Sequence, residues 1–327
     1  YLVCYTYPHM KAVIVKRYGG PEMAVVVEVP KPTITKPNQL LIKVIASSVN
    51  SGDARIRRAD PWFVRLAFGF TGPRQQVLGM AFAGVIEVVG TAVTSYQVGD
   101  RVYGMSEKFM GAHAEHLLVP ETTPMGHMPA AMSFTDAAAL PFGGTTALHF
   151  LAGLDLQGKS VFINGASGAV GVCFIQIAKA RGGIVTAVTS TDNIELMQSL
   201  GAAMVLNYTK IDILSLNTEY DVVIDCVNKI PMPVIDRLVK KGGVIVPLAG
   251  LIKEMFQSRK VKKAKVRIGP AKVLSNHFDE ISDLYLTGKL RPIIDSTYPI
   301  SGIVAAYTRV DSNRKVGNVV LKVSTEI

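Results

Sequence analysis

Hydrophobic and polar positions change rhythm part-way along the chain. Up to about residue 120 the apolar residues come in short β-branched runs. Ala12 to Val15, Ala24 to Val29 and Gln39 to Ile45 each read as a strand, separated by turns such as Gly19-Gly20-Pro21 and Pro30-Lys31-Pro32. Leu78 to Gly90, Val98 to Gly104 and Ala114 to Val119 continue the series, which predicts a small all-β domain. Within it, the polar stretch Ser47 to Asp53 predicts a strand stop that caps a short helix. Pro61 to Phe70 is unusually aromatic and reads either as core or as a loop lining an apolar pocket.

From Ser133 the period becomes helical, with Ser133 and Asp136 spaced as a capping pair before Ala137 to Leu140. Strand-like runs then alternate with helical ones: Ser160 to Asn164, Ile184 to Thr189, Met204 to Leu206, Asp221 to Cys226 and Gly243 to Leu248, with Asn193 to Leu200 helical. Such alternation predicts an α/β domain built on a doubly wound parallel sheet. Phe278 to Leu286 is an amphipathic helix ended by Gly288. The tail holds Ile293 to Asp295, Val304 to Tyr307 and the strand Val319 to Val323. Closing strands have no partner in a finished doubly wound sheet, so they are expected to return to the β domain. The division expected is therefore 1–128 with 277–327, against 129–276, with the composition shift near Pro129 as the boundary.

One stretch organises the second domain. Ser160 to Asn164 runs into Gly165-Ala166-Ser167-Gly168-Ala169-Val170-Gly171, and apolar residues then recur at helical period to Ala178. That is strand, glycine-rich turn, helix. Read from its end, the turn is Ala166-x-Gly168-x-x-Gly171, a dinucleotide fingerprint with alanine in the first glycine slot. Gly168 would admit a pyrophosphate against the backbone, and Gly171 would let the helix pack closely on the strand. The helix N-terminus adds free N–H groups and a positive dipole end.

At 327 residues, with 49% hydrophobic, the chain has length and apolar content for two domains and a large core. No apolar run reaches the ~18 residues that span a bilayer. Residues 1–9 match neither a signal nor a transit peptide, and Met10-Lys11-Ala12-Val13 looks like a native start. Cys4, Cys173 and Cys226 show no metal or disulfide spacing, which predicts a reduced, cytoplasmic protein. The net charge of +10 is concentrated in Lys253 to Arg267. With little aromatic interleaving, that run reads as a solvated face, or as a patch for NADP, an anionic membrane surface or an acidic partner; no nucleic-acid partner is expected.

Over residues 10–327 these features resemble the medium-chain dehydrogenase/reductase superfamily. The residues that carry the resemblance are Ala46 to Asp53, Leu78-Gly79-Met80-x-x-Ala83-Gly84, Val98 to Val102, Ala138 to Pro141, Asn164 to Gly168 and Gly288 to Asp295. The branch it is most similar to is that of the zinc-free quinone oxidoreductases and enone reductases. The resemblance implies a Rossmann-type dinucleotide domain plus a GroES-like β-rich catalytic domain completed by the C-terminal segment. It also implies hydride transfer from NADPH to a quinone or an α,β-unsaturated carbonyl, and a homodimer paired near Gly243 to Leu248 or just beyond it. The zinc branch would carry a Cys near Asn50 and a His-Glu pair near Met80-Ala81. Asn50, Met80 and Ala81 cannot supply the three ligands of a catalytic zinc, so no metal is expected.

By the same resemblance Asn50 stands beside the nicotinamide. Its amide polarises a carbonyl oxygen, or it serves only as a helix cap; Asp53 is the second candidate catalytic residue. Arg55, in place of a Tyr, Phe68 and Tyr103 are the implied substrate-pocket residues, and no proton donor is assigned. The cofactor set is Asn50, Thr145, Gly165, Ala166, Ser167, Gly168, Ala169, Val170, Ser190, Thr191, Tyr208, Val227, Leu248 and Gly250. The hydroxyls of Thr189-Ser190-Thr191 suit a 2′-phosphate, which favours NADP(H) with NAD(H) as the alternative. Asp192 stands where relatives carry a basic residue, with Lys210 or Arg181 as substitute cation. The competing function is a nucleotide-binding protein of this fold with a structural or regulatory role and incidental reductase activity.

Overall fold

The computed structural model describes residues 8–248, 256–257, 259 and 261–325. Contacts divide the chain into two compact units. One comprises Tyr1–Phe142, Leu274–Leu286 and Ile294–Ile327; the other comprises Gly143–Val273 and Thr287–Ile293. The division thus falls at 142/143, inside helix α3 (Phe134–Leu151), and not near Pro129. The first turn of α3 is held in the first unit, because Tyr285 Oη donates to Asp136 Oδ2 at 3.1 Å. Ser133 Oγ accepts from the Asp136 amide, as the capping spacing predicts. Thr287–Ile293 goes to the second unit because Gln176 bonds both the amide and the carbonyl of Arg291.

In the first unit β1 (His9–Val15) and β2 (Ala24–Pro30) form an antiparallel pair. The larger sheet is built round β3 (Gln39–Val49), which pairs with β4 (Ala81–Val89), with β6 (His116–Pro120) and with the closing strand β15 (Asn318–Lys322). Val319 faces Val49 and Lys322 faces Ala46, so the C-terminal strand does return to the β unit. Strands β5 (Arg101–Met105), β7 (Met125–His127) and β14 (Ile294–Pro299) complete the order β14-β15-β3-β4-β5-β7. Ser47 and Ser48 do not stop β3, which runs on to Val49. Ser47 is tolerated inside the sheet because its hydroxyl donates to the Ala81 carbonyl at 2.7 Å. The amphipathic helix is α7 (Asn276–Leu286), and Val304 to Tyr307 is helical, within α8 (Ile303–Asp311), which packs its Ile303, Ala306, Tyr307 and Val310 inward.

The second unit is a six-stranded parallel sheet in the order β10-β9-β8-β11-β12-β13. Its strands are β8 (Ser160–Asn164), β9 (Ile184–Thr189), β10 (Met204–Asn207), β11 (Tyr220–Asp225), β12 (Val239–Pro247) and β13 (Lys265–Val266). Helices α4 (Ala169–Ala180), α5 (Ile194–Ser199) and α6 (Met232–Leu238) form the connections. Phe162, Val223 and Ile245 pack with Ile235, Leu238 and Val239 in its core. The strand Gly243 to Leu248 is therefore not the outer edge: Lys265 and Val266, from the basic segment, pair with Val244 and Ile245. Much of the rest of that segment, Lys253 included, lies outside the described residues, as do Cys4 and Gly250. No helix among the described residues is long and apolar enough to cross a membrane.

Candidate active site

The strand order reverses between β8 and β11, and a parallel sheet binds ligands outside the carboxyl ends of its strands at such a point. The residues expected to hold a cofactor follow those ends in turn: Gly165 to Val170 after β8, Ser190 and Thr191 after β9, Tyr208 after β10, Val227 after β11 and Leu248 after β12. Backbone bonds continue the ladder past the strands, from Ala166 N to Val188 O, Tyr208 N to Thr189 O, Cys226 N to Asn164 O and Leu248 N to Asp225 O. Thr145 is buried on α3.

The glycines of the β8 turn have separable reasons. Gly165 has φ +74°, and a Cβ there would stand 2.6 Å from Val227 Cγ1. A Cβ on Gly171 would sit 2.4 Å from the Gly165 carbonyl oxygen and 2.6 Å from that of Ala166, so α4 reaches the strand only with hydrogen at that position. Gly168 is different. Its φ is −75°, and a Cβ would meet nothing nearer than the Gly165 oxygen at 3.5 Å. The fold makes no demand for glycine at 168; a ligand lying against the backbone would. No side chain caps the first turn of α4, leaving its amides free for an anion. These residues fit a dinucleotide pyrophosphate.

Past β9 and β10 a hydroxyl network forms. Asn207 Nδ2 donates to Thr191 Oγ1 at 2.9 Å, Thr191 and Thr209 hydroxyls stand 3.1 Å apart, and Asn193 Nδ2 donates to Ser190 Oγ. Tyr208 is 57% exposed beside it, and Asp192 and Lys210 are exposed too. Arg181 is not part of this site. It caps the far end of α4, and its guanidinium donates to the Leu151 carbonyl at 3.0 Å, at the amino ends of the strands.

In the first unit Asn50 is the N-cap of α1 (Ser51–Arg58) in a full capping box. Its Oδ1 accepts from the amides of Gly52 at 2.8 Å and Asp53 at 3.0 Å, and its own amide donates to Asp53 Oδ2 at 3.1 Å. That commits the acceptor half of the side chain to the helix. The donor half, Nδ2, is buried and has no partner. Asp53 is fully buried, and burial pushes its carboxyl up to about 7 against the pull of the Asn50, Met80 and Gly79 amides.

Of the expected pocket residues, Arg55 on α1 and Phe68, the last residue of α2 (Val64–Phe68), are half-buried. Tyr103 is a correction. It is fully buried on β5, its hydroxyl bonded to the Phe278 carbonyl at 2.7 Å and to Ser282 Oγ at 2.8 Å, and it presents no surface to a substrate. Sequence reasoning passed over Arg57, which is fully buried on α1, paired with Asp311 and stacked 4.7 Å from the Tyr307 ring centroid. Its signal was there: four residues after Asp53, it shares that helix face. Asp225 was passed over too. Its buried carboxylate accepts from Asn164 Nδ2 and from the amides of Val227, Asn228 and Ile230, which shapes the loop after β11.

Residues 36–130 match the family described as alcohol dehydrogenase GroES-like domain, and residues 200–321 match zinc-binding dehydrogenase. The chain is 32% identical to the chloroplastic NADPH-dependent alkenal/one oxidoreductase of Arabidopsis thaliana, over 95% of this chain and 79% of that protein. It belongs to the medium-chain dehydrogenase/reductase superfamily, in the quinone oxidoreductase-like branch. It is also 34% identical to the 2-methylene-furan-3-one reductase of Solanum lycopersicum, over 88% of this chain and 72% of that one. The structure of the quinone oxidoreductase from Coxiella burnetii superimposes with a TM-score of 0.87 at 29% identity, covering 97% and 100% of the two chains. Among the described residues, no group of three or more His, Cys, Asp or Glu side chains could hold a metal ion.

Proposed function

We propose that this chain is an NADPH-dependent reductase of quinones and α,β-unsaturated carbonyls that works without a metal. The observation that carries the reading is the divided amide of Asn50. One half is spent on the helix cap, and the other is a buried donor with nothing to bond. A buried N–H of this kind is costly unless a ligand satisfies it, and a carbonyl oxygen is the complementary acceptor. Cofactor contacts are assigned to Gly165 through Val170, Ser190, Thr191, Tyr208, Val227 and Leu248, with Asn50 and Thr145. When bound, the reduced nicotinamide supplies the hydride. The chain's own part is to fix two flat molecules in register, exclude water and stabilise the charge that develops on the substrate oxygen. The proton that completes the reduction is assigned to solvent, since Arg55 stands where a tyrosine donor would be.

The preference for NADPH rests on the Thr191–Asn207–Thr209 network and Lys210, opposed by Asp192. The dimer reading is kept with its edge moved outward, to β13 in place of β12. A cytoplasmic location stays part of the proposal.

The test is turnover. The purified chain with NADPH is expected to reduce simple enones and quinones, with activity unchanged by a chelator. Asn50→Ser keeps a capping oxygen and removes the amide donor. It is expected to lower kcat/KM by roughly a hundredfold, the cost of one transition-state donor. Tight NADPH binding with no turnover would favour the structural or regulatory alternative.

A further inference from the structure

The segment after α1 presents apolar side chains to solvent in a fixed arrangement. Trp62, Leu66 and Phe70 are 70%, 57% and 68% exposed. Trp62 stands in the turn that leads into α2, held by bonds from Val64 N to Pro61 O and from Arg65 N to Trp62 O, Leu66 is within α2, and Phe70 follows the helix end at Gly69, whose amide bonds Arg65 O. The segment is not loose. Tyr18 Oη donates to the Gly69 carbonyl at 2.6 Å, the Arg74 amide donates to Phe68 O, and Arg65 stacks 5.1 Å from the Tyr18 ring centroid. Gly72 packs so closely on the Lys16 carbonyl that a Cβ there would stand 2.1 Å from it.

Those anchors bring cations to the same surface. Lys16, Arg17, Arg65 and Arg74 are all exposed. Beside them Val25 is 53% exposed, in a groove that Ile14, Met23, the cations Lys16 and Arg17 and the single exposed carboxylate Glu22 also line. The nearby Asp60 is offset by Arg58 at 3.8 Å. Single exposed apolar side chains are ordinary on a protein surface; three in one short segment beside four cations form a patch.

We infer that this surface docks on an anionic lipid bilayer. Trp and Phe rings sit favourably at the headgroup level, and each nearby Lys or Arg adds attraction to anionic lipids. Charge complementarity selects an anionic partner. A bilayer interface takes aromatic rings and cations with no demand for matching shape, which suits three apolar side chains spread along one short anchored segment. A quinone or enone substrate is itself apolar and partitions into such a surface, although the docking does not depend on that reading.

Trp62 is the only tryptophan in the chain, so its emission reports the contact directly. The full chain is titrated with vesicles of phosphatidylcholine alone and of phosphatidylcholine with phosphatidylserine. Emission is expected to shift to the blue, and protein to co-sediment, with the anionic vesicles. Leu66→Ser with Phe70→Ser keeps the probe and lowers partitioning by roughly tenfold or more. Arg17→Gln with Arg74→Gln lowers it by roughly tenfold and removes the preference for phosphatidylserine. Co-sedimentation with unchanged Trp62 emission would place the contact elsewhere, for instance on the basic segment, and overturn the inference. Absence of binding to either vesicle would overturn it as well, and so would a blue shift with poly-glutamate and not with vesicles, which indicates a protein partner. Turnover of a water-soluble enone without vesicles is expected to be unchanged in both variants. A failure of that turnover in the wild type concerns the proposed function and not this surface.

Discussion

His113 Nε2 lies 4.0 Å from Asp53 Oδ2, and neither side chain has any exposed surface. Burial, more than the mutual charge, sets both groups. It pushes Asp53 up from 3.8 to about 7 and His113 down from 6.5 to about 4. Between those limits the contact joins a neutral acid and a neutral imidazole, and His113 Nε2 also stands 3.1 Å from the Ser48 carbonyl oxygen.

The pair predicts two opposite pH dependences. For Asp53 the unfolded chain has lost its proton above 3.8 while the native chain keeps it to about 7, so stability falls as pH rises through that window. For His113 the native chain is unprotonated down to about 4 while the unfolded chain takes a proton below 6.5, so stability falls as pH drops. Each slope is at most about 1.4 kcal/mol per pH unit, and in the wild type they largely cancel. Asp53→Asn is expected to leave stability rising with pH up to 6.5, and His113→Gln to leave it falling from about 4 to about 7. Urea unfolding across that range reads both; equal slopes in the two variants would refute the assignment.

Gly168 and Gly171 are predicted to fail differently. Gly168→Val places its side chain in open space on an extended backbone, so the melting temperature of the apo protein is expected to hold. NADPH affinity is expected to fall by roughly tenfold or more, since the side chain occupies the pyrophosphate approach. Gly171→Ala drives a Cβ to 2.4 Å from the Gly165 oxygen and is expected to lower the melting temperature without any ligand. Cofactor fluorescence titration beside thermal unfolding separates them. Wild-type affinity in Gly168→Val would mean the phosphates lie elsewhere.

Arg57 shows how much of this was legible in the sequence. The strand–turn–helix at Gly165 to Gly171 could be read because backbone geometry demands glycine at 165 and 171 and a ligand would demand it at 168, and so could the alternating strands. The return of β15 was legible because an unpartnered strand has to pair somewhere. What could not be read were contacts between residues far apart in sequence. Arg57 meets Asp311 across 254 positions, and Tyr103 meets Phe278 across 175. No local pattern distinguishes a pocket tyrosine from one bonded to a distant carbonyl. The β13 pairing was hidden by its two-residue length and its charged surroundings.

Asp311 is predicted to be a large stabilising residue. It pairs with both Arg57 and Arg58, and the Arg57 side chain is completely buried. Asp311→Ala leaves that guanidinium without its counter-charge, which is expected to cost roughly 3 kcal/mol or more. Arg57→Met in the same background is expected to recover part of the loss, because it removes the orphaned charge. A double variant less stable than Asp311→Ala alone would show that Arg57 contributes through other contacts, such as its stacking on Tyr307.

The remaining prediction concerns cofactor choice, where Asp192 works against its surroundings. It stands exposed in the turn Thr191–Asn193, directly after β9 and next to the hydroxyl network assigned to a 2′-phosphate. Like charges at that range repel by ~1 kcal/mol in a partly wet site. Wild-type selectivity for NADPH over NADH is therefore expected to be weak, on the order of tenfold, since 1.4 kcal/mol is one decade. Asp192→Arg exchanges a repulsion for an attraction. It is expected to raise that selectivity by roughly tenfold or more while leaving NADH turnover nearly unchanged. The ratio of kcat/KM for the two cofactors in both proteins reads this directly. The residue is exposed, and the cost of exchanging an acid for a cation in the first turn of a helical segment is read separately by thermal unfolding of both proteins. Unmoved selectivity would mean that Asp192 is turned away from the ribose. Thr191, Asn207, Thr209 and Lys210 would then have to account for phosphate recognition among themselves, and Lys210→Ala becomes the variant that decides it.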